Sequence, residues 1–195
     1  MSDRQPALGL LEFGSIAMGI HAADAMVKAA PVADIWAGTV HPGKYLVMVD
    51  GDTASVEVAL DAGRSGAEAE LFLPDVHSSV AEAIASRDAV SLSGEAVGVV
   101  ETTTVAAVIG AADASVKAAD VRLSALRLAD GLGGKGYLVL SGAVASVEAG
   151  VDAAVAAAAT GLLAWTVVPM LHSDIADNMA GDLRFLRRVR GGGAG

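Results

Sequence analysis

The sequence predicts an α+β protein of two tandem repeats, each a ferredoxin-like β-α-β-β-α-β unit with an antiparallel sheet and helices on one face. Three observations support this fold class. The chain of 195 residues has room for two units of about 95 residues each. Its second half repeats the first half. Short apolar runs alternate with helix-periodic segments in the same order in both halves.

The repeat is clearest at the start of each half. LGLLEFGSIAMGIHAADAMVKAA (8–30) and VGVVETTTVAAVIGAADASVKAA (97–119) are identical at twelve of 23 positions. A two-residue insertion follows, and then residues 43–63 match residues 134–154 at nine of 21 positions. Since the matches other than alanine keep a fixed order, we interpret the chain as a tandem duplication. The expected organisation is a first domain over 1–90, a second over 95–186 and a flexible tail over 187–195.

The first unit opens with an apolar strand, LGLLEF (8–13), and continues with a helix over 15–30. Apolar residues recur along this helix at three- and four-residue spacing and form one face: Ile16, Ile20, Ala23 and Val27. Pro31 helps to end the helix.

The remaining elements of the first unit follow from similar patterns. The apolar runs VADIWAGTV and KYLVMVDG predict the second and third strands, and ELFLP predicts the fourth. A second helix is expected over 53–62, with Val56 and Leu60 on one side, and a short final helix is expected within 77–85. The second unit repeats this order, and residues 86–94 link the two units. Trp36 and Trp165 are assigned to packing or to interfaces.

Composition excludes several classes of function. A formal charge of −10 argues against binding to nucleic acid or to an anionic membrane. The sequence has no cysteine, which excludes disulfides and thiolate catalysis. Residues 153–171 carry no charge, but Gly161 and Pro169 interrupt them, so we expect a helix, a turn and a strand rather than a membrane span.

The turn before the third strand has the sequence HPGKYLV in the first unit and GGKGYLV in the second. A phosphate-binding loop needs Ser or Thr after its Lys and leads from a strand into a helix. Lys44 is followed by Tyr45 and Lys135 by Gly136, and both turns lead into strands. The turns are therefore not nucleotide-binding loops.

Several motifs in both halves are shared with one known family. They are the G-x-x-E opening strand, the A-A-D-A-x-x-K-A-A helix, the turn before K-Y-L or Y-L-V-L, and the S-V-E-x-x-x-D-A pattern. Over roughly residues 7–185 the chain resembles the tandem-domain shell proteins of bacterial microcompartments. It is most similar to the trimeric shell protein of propanediol-utilisation compartments.

This resemblance implies a non-enzymatic structural protein in the microcompartment shell of the bacterial cytoplasm. Three chains would form a pseudohexamer that assembles with other shell proteins, hexamers and pentamers, and small metabolites would cross its central pore. The resemblance assigns the pore lining to the turn of each domain: His41, Pro42, Gly43, Leu132, Gly133 and Gly134. Gly133 and Gly134 are also expected to need a positive φ for a tight turn.

His41 stands where the trimeric relative has a Cys that helps to hold an iron–sulfur cluster, so no cluster is expected here. Three His41 imidazoles on a threefold axis suit a divalent metal, a titrating collar or simple polar lining, and polar lining is preferred. No other cofactor is expected. The resemblance places Lys28 and Lys117 at the disc edge, although the P-R-P-H string of the family is absent.

Two carboxylate positions recur in both halves, as Glu12 and Glu101 and as Asp24 and Asp113. The sequence does not place a nucleophile and a His beside these carboxylates to form a catalytic set. We therefore expect them to form structural ion pairs, and we assign no catalytic residue. The alternative function is a small-ligand-binding regulatory module with a duplicated ferredoxin-like fold. A metal or redox centre carried through a shell is a weaker third hypothesis.

Overall fold

The computed structural model describes residues 6–85, 92 and 94–180. The first half has the predicted order of elements, with bounds within three residues of those expected from the sequence. These elements are β1 (Ala7–Phe13), α1 (Ile16–Ala29), β2 (Asp34–Val40), β3 (Lys44–Gly51), α2 (Thr53–Gly63), β4 (Ala69–Leu73) and α3 (Ser78–Ala85).

The second half repeats this order. Its elements are β5 (Ala96–Thr102), α4 (Val105–Ala118), β6 (Arg122–Leu128), β7 (Gly136–Gly142), α5 (Val144–Ala158), β8 (Leu162–Pro169) and α6 (Ser173–Ala180). Most of the predicted linker and the predicted tail over 187–195 lie outside the described residues.

Each half contains one four-stranded antiparallel sheet. The strand orders are β2-β3-β1-β4 and β6-β7-β5-β8, so each opening strand lies in the interior of its sheet. The pairing registers are equivalent: Glu12 lies opposite Leu46 in the first sheet, and Glu101 lies opposite Tyr137 in the second. The predicted fold class is confirmed.

The G-x-x-E motif places its two residues on opposite faces of the opening strand, because side chains alternate along a strand. Gly98 faces the helices of its own half, where a Cβ would lie 2.6 Å from Val151 Cγ2. Gly9 has the same role against Val56. The glycine therefore lets the second helix of each half approach its sheet closely, while the glutamate projects from the other face.

The two halves pack against each other through helix α4. This helix lies on its own sheet with one side and on the outer face of the first sheet with the other, so β1 is buried on both faces. The approach is close at Gly110, where a Cβ would lie 3.2 Å from Leu71 Cδ1. One apolar core, which includes Leu10 and Ile109, consequently runs across both halves.

The uncharged stretch 153–171 divides into the end of α5, a 3₁₀ turn (Ala159–Gly161) and strand β8, as the sequence predicts. Within the described ranges, one segment, Val144–Gly161, is long and apolar enough to cross a membrane by length and composition alone. Its helix packs against α4 and β5, and Val147, Val151 and Ala154 are buried there.

Candidate pore loops and assembly surfaces

The turns before β3 and β7 lie side by side, although 91 positions separate them in the sequence. A Cβ on Gly134 would lie 3.7 Å from the carbonyl oxygen of His41 and 3.7 Å from Pro42 Cδ. The turn of the first half thus contacts the turn of the second half directly. The structure brings together the two segments that the resemblance assigns to one pore.

Five of the six predicted pore residues reach the surface of the chain. His41, Pro42, Gly43 and Gly133 are exposed, and Leu132 is partly exposed. Gly134 is buried against the first turn, so its place is between the two loops rather than on their open side. Gly133 and Gly134 have φ of 67° and 83°, which confirms the predicted positive φ.

An ion cluster with one buried carboxylate lies beneath the first turn. Glu12 is fully buried, and the ammonium of Lys44 lies 3.8 Å from its Oε2 and 3.5 Å from Glu68 Oε2. Glu12 Oε2 has no hydrogen-bond partner in the part of the chain that the structure describes. Burial raises the pKa of the Glu12 carboxyl, and the amide of Ala106 and the charge of Lys44 counteract this only in part.

Polar contacts join the two halves around the core. Glu12 Oε1 accepts a hydrogen bond of 2.6 Å from the backbone N–H of Ala106, in the first turn of α4. Asp113 Oδ1 accepts one of 2.8 Å from the backbone N–H of His77. The buried carboxylates of Glu12 and Asp113 therefore act as acceptors for backbone groups of the opposite half.

The four repeated carboxylates all have a Lys partner, which confirms the pairing predicted for them. Lys28 lies 2.6 Å from Asp24, and Lys135 lies 3.1 Å from Glu101. Lys117 lies 2.6 Å from Asp113, and its ammonium also donates to the backbone carbonyl of Asp75 in the first half.

The two lysines assigned to the disc edge thus have different surroundings. Lys117 lies at the junction between the halves, whereas Lys28 is exposed and pairs with Asp24 of its own helix. The edge role of both residues stays a prediction.

Helix α1 carries an apolar stripe that faces away from its own sheet. Its buried residues are Gly19, Ala22 and Met26, so Ile16, Ile20 and Val27 of the predicted face are turned outward, whereas Ala23 is partly buried against the core of its own half. The repeat aligns Ile20 with Ile109 of α4; Ile20 is 54% exposed and Ile109 is fully buried. We call the face of Ile16, Ile20 and Val27 the α1 stripe.

A second pair of elements shows the same contrast. Helix α3 packs on the edge strand β6 of the other half, and Val80 of α3 is fully buried there. Ile175, the equivalent residue of α6, is 50% exposed. Ala125 of β6 is 8% exposed, whereas Trp36, at the same register position of β2, is 49% exposed.

Among the described residues, several surfaces of one half are open where the equivalent surfaces of the other half are covered. No described helix covers the outer face of the second sheet as α4 covers that of the first, although Val97 and Val139 of this face are buried against Leu171 and Met179. The described residues likewise leave the α1 stripe and β2 without the partners that α4 and β6 have. Sequence periodicity finds the stripe but not its exposure, since a buried face and an interface face have the same period.

The described part of a single chain brings no set of metal ligands together. Residues 6–85, 92 and 94–180 contain no group of three His, Cys, Asp or Glu side chains that could hold a metal ion. A metal at His41 would therefore need imidazoles from more than one copy of the chain.

Comparison with protein families gives two matches within the chain. The BMC domain family matches residues 7–87 and again residues 96–171. The two matches fall on the two structural repeats.

Individual relatives extend this result. The chain is 42% identical to the bacterial microcompartment shell protein PduT of Citrobacter freundii over 175 residues, which cover 87% of this chain and 95% of PduT. It is 41% identical over 64 residues to the shell protein PduA of the same organism, covering 33% of this chain and 69% of PduA.

Solved structures show the same fold. The crystal structure of a microcompartment protein from Desulfitobacterium hafniense superimposes with a TM-score of 0.75 and 39% identity, covering 89% of this chain and 99% of that chain. A fused, permuted hexameric shell protein of the RMM microcompartment gives a TM-score of 0.58 at 24% identity, covering 82% of this chain and 86% of that chain.

Proposed function

The chain belongs to the BMC domain family, and we propose that it is a structural subunit of the protein shell of a bacterial microcompartment. The match of both repeats to this domain and the similarity to PduT over nearly the whole of both chains support this function. The protein is then located in the shell, within the bacterial cytoplasm, and assembles there with other shell proteins, the hexamers and pentamers. We assign it no catalytic reaction.

Three copies of the chain close into a pseudohexameric ring. The main support for this ring is that the α1 stripe is exposed, whereas the equivalent residues of α4 are buried or partly buried. If α1 of one copy covers the outer face of the second sheet of the next copy, the contact between the halves is repeated between chains. Such head-to-tail contacts form a closed ring when the rotation per unit allows it, and three is the number that the family resemblance implies.

In this ring the paired turns surround the central opening. His41, Pro42 and Gly43 alternate with Leu132 and Gly133, and small metabolites pass between them. The adjacency of the two turns within one chain supports this arrangement. A doubled subunit places two unlike turns around a threefold axis, whereas a single-domain subunit repeats one turn six times.

His41 gives the opening its polar lining, and three His41 imidazoles offer a site for a divalent metal. No other cofactor is assigned, and the absence of cysteine argues against an iron–sulfur cluster. Replacement of His41 by Ala should change metal content or permeability and leave the trimer intact, because His41 is exposed on its turn. Metal analysis and a flux assay in reconstituted shells test this; dissociation of the trimer would show that His41 is structural.

Lys28 and Lys117 are proposed to contact neighbouring discs at the edge of the ring. Lys28 supports this better, because its ammonium is exposed, whereas Lys117 already contacts Asp75. Sheets formed with partner hexamers, seen by electron microscopy, should be lost on Lys28→Ala while the trimer persists.

Co-assembly separates this function from the regulatory alternative. A shell subunit should form trimers in solution and join flat sheets or rounded particles when mixed with hexameric shell proteins. A stable monomer that binds a metabolite between its halves would instead indicate a ligand-binding module.

A further inference from the structure

Glu12 makes a fully buried polar contact between the two halves. Its side chain is fully buried, and its Oε1 lies 2.6 Å from the backbone nitrogen of Ala106. The side chain of Thr104 caps α4 by accepting from the N–H of Ala107, which leaves the N–H of Ala106 for Glu12. A carboxylate from the first half thus completes the N-terminus of a helix in the second half.

The residues equivalent to Glu12 and Ala106 in the other half of the repeat, Glu101 and Ala17, both lie at the surface of the chain. Glu101 aligns with Glu12, and its half-exposed carboxylate is held 3.1 Å from Lys135. Ala17 aligns with Ala106 and lies in the first turn of α1. Ser15 caps α1 through the N–H of Met18, as Thr104 caps α4, and the N–H of Ala17 has no acceptor among residues 6–85, 92 and 94–180.

We propose that the Glu101 carboxylate of one copy accepts a hydrogen bond from the Ala17 N–H of the next copy. This inference rests on the proposed ring and names the residues that select the neighbouring copy. Glu101 lies on the outer face of the second sheet, as Glu12 does on the first. The α1 stripe supplies apolar contact, and Glu101 fixes the position of the helix along the sheet.

A second polar pair follows the same pattern and supports the same docking. Asp113 accepts from the backbone N–H of His77 across the junction. Asp24 and His172 hold the equivalent positions of the repeat, and both are exposed. When α1 docks as α4 does, Asp24 of one copy comes beside the His172 N–H of the other.

The test compares Glu101→Ala with Glu101→Gln and with Lys135→Ala. A hydrogen bond to a charged acceptor contributes about 1.5–3 kcal/mol, so its loss at each contact should raise the monomer–trimer midpoint concentration by at least about tenfold. Glu101→Gln keeps an acceptor oxygen and should recover part of the affinity. Lys135→Ala removes the ion pair within the chain but leaves the acceptor, and should have a smaller effect than Glu101→Ala.

Two measurements are made on the full chain: the midpoint by analytical ultracentrifugation, and amide exchange at Ala17 by NMR. In the wild type, Ala17 should become protected on assembly, and in Glu101→Ala this protection should be lost. If Glu101→Ala does not fold, Glu101→Gln and Ala17→Pro, which removes the N–H donor, must each raise the midpoint.

A wild-type trimer whose midpoint and Ala17 protection are unchanged by Glu101→Ala would overturn this inference and leave the ring standing. An effect of Lys135→Ala equal to that of Glu101→Ala would also overturn it, since only the ion pair would then matter. A wild type that stays monomeric at all concentrations would overturn the ring and the inference together.

Discussion

Glu12 is a carboxylate in an environment that disfavours its charge, because its side chain is fully buried. A buried carboxylate is costly unless it is hydrogen-bonded and paired, and one of its oxygens has no hydrogen-bond partner among the described residues. Lys44 and the Ala106 amide compensate part of this cost. Its counterpart Glu101 does not have this desolvation cost in the single chain, because its carboxylate is partly exposed beside Lys135.

The raised pKa of Glu12 gives stability a defined dependence on pH. The folded protein binds this proton more tightly than the unfolded chain, so stability decreases as pH rises from the ordinary value of 4.5 through the raised pKa. Gln cannot ionise but still offers an oxygen to Ala106. The difference in urea midpoint between Glu12→Gln and wild type should therefore move in favour of the variant between pH 4.5 and 7, and a constant difference would contradict this.

A substitution at Gly98 tests the close approach of helix α5 to strand β5. A Cβ at this position would lie 2.6 Å from Val151 Cγ2, so Gly98→Ala should lower the free energy of unfolding by about 1–3 kcal/mol through overpacking. Gly142→Ala is the matched control, since its nearest neighbour would be 3.6 Å away. Urea denaturation measures both, and equal losses would argue against the packing explanation.

Among the elements, α1 and α4 are identical at nine of 14 positions but have different surroundings. Helix α4 is covered on both sides, whereas the described residues cover α1 only on the side that packs against α2 and its own sheet. A row of apolar residues on an unpartnered helix face is the usual mark of a protein interface. The apolar face of α1 is therefore more exposed than that of α4 because its packing partner is missing from the single chain.

Ile20→Glu should abolish assembly and leave the fold intact. Ile20 is exposed in the single chain, so a charge is tolerated there, but burial at the proposed contact would leave that charge unpaired. Val58→Glu, on an exposed apolar position of α2 outside the α1 stripe, is the control and should stay trimeric. Size-exclusion chromatography with light scattering distinguishes the two, and a trimeric Ile20→Glu variant would place the contact elsewhere.

At the scale of the whole molecule, the sequence was sufficient for the architecture of each half. The repeat, the periodicity of α1 and the Gly and Pro positions predict the elements, and the recurrence of the four carboxylates predicts their pairing. These features are local, or they are internal to one repeat, and elementary patterns therefore reveal them.

Sequence patterns do not predict the contacts between the two halves. The bond from Glu12 to Ala106 joins residues 94 positions apart, and no periodicity indicates which sheet α4 covers on its outer side. The meeting of Gly134 with His41, and the burial of Gly134 that follows, depend on the same packing. For Trp36 the sequence predicts either packing or an interface, and the structure shows that its side chain is exposed on β2.

The number of chains in the native assembly tests the account most directly. Native mass spectrometry of the full chain should give a single closed species with three times the chain mass of 19.4 kDa. A monomer, or an open series of increasing size, would contradict the ring in which α1 of each copy covers the second sheet of the next.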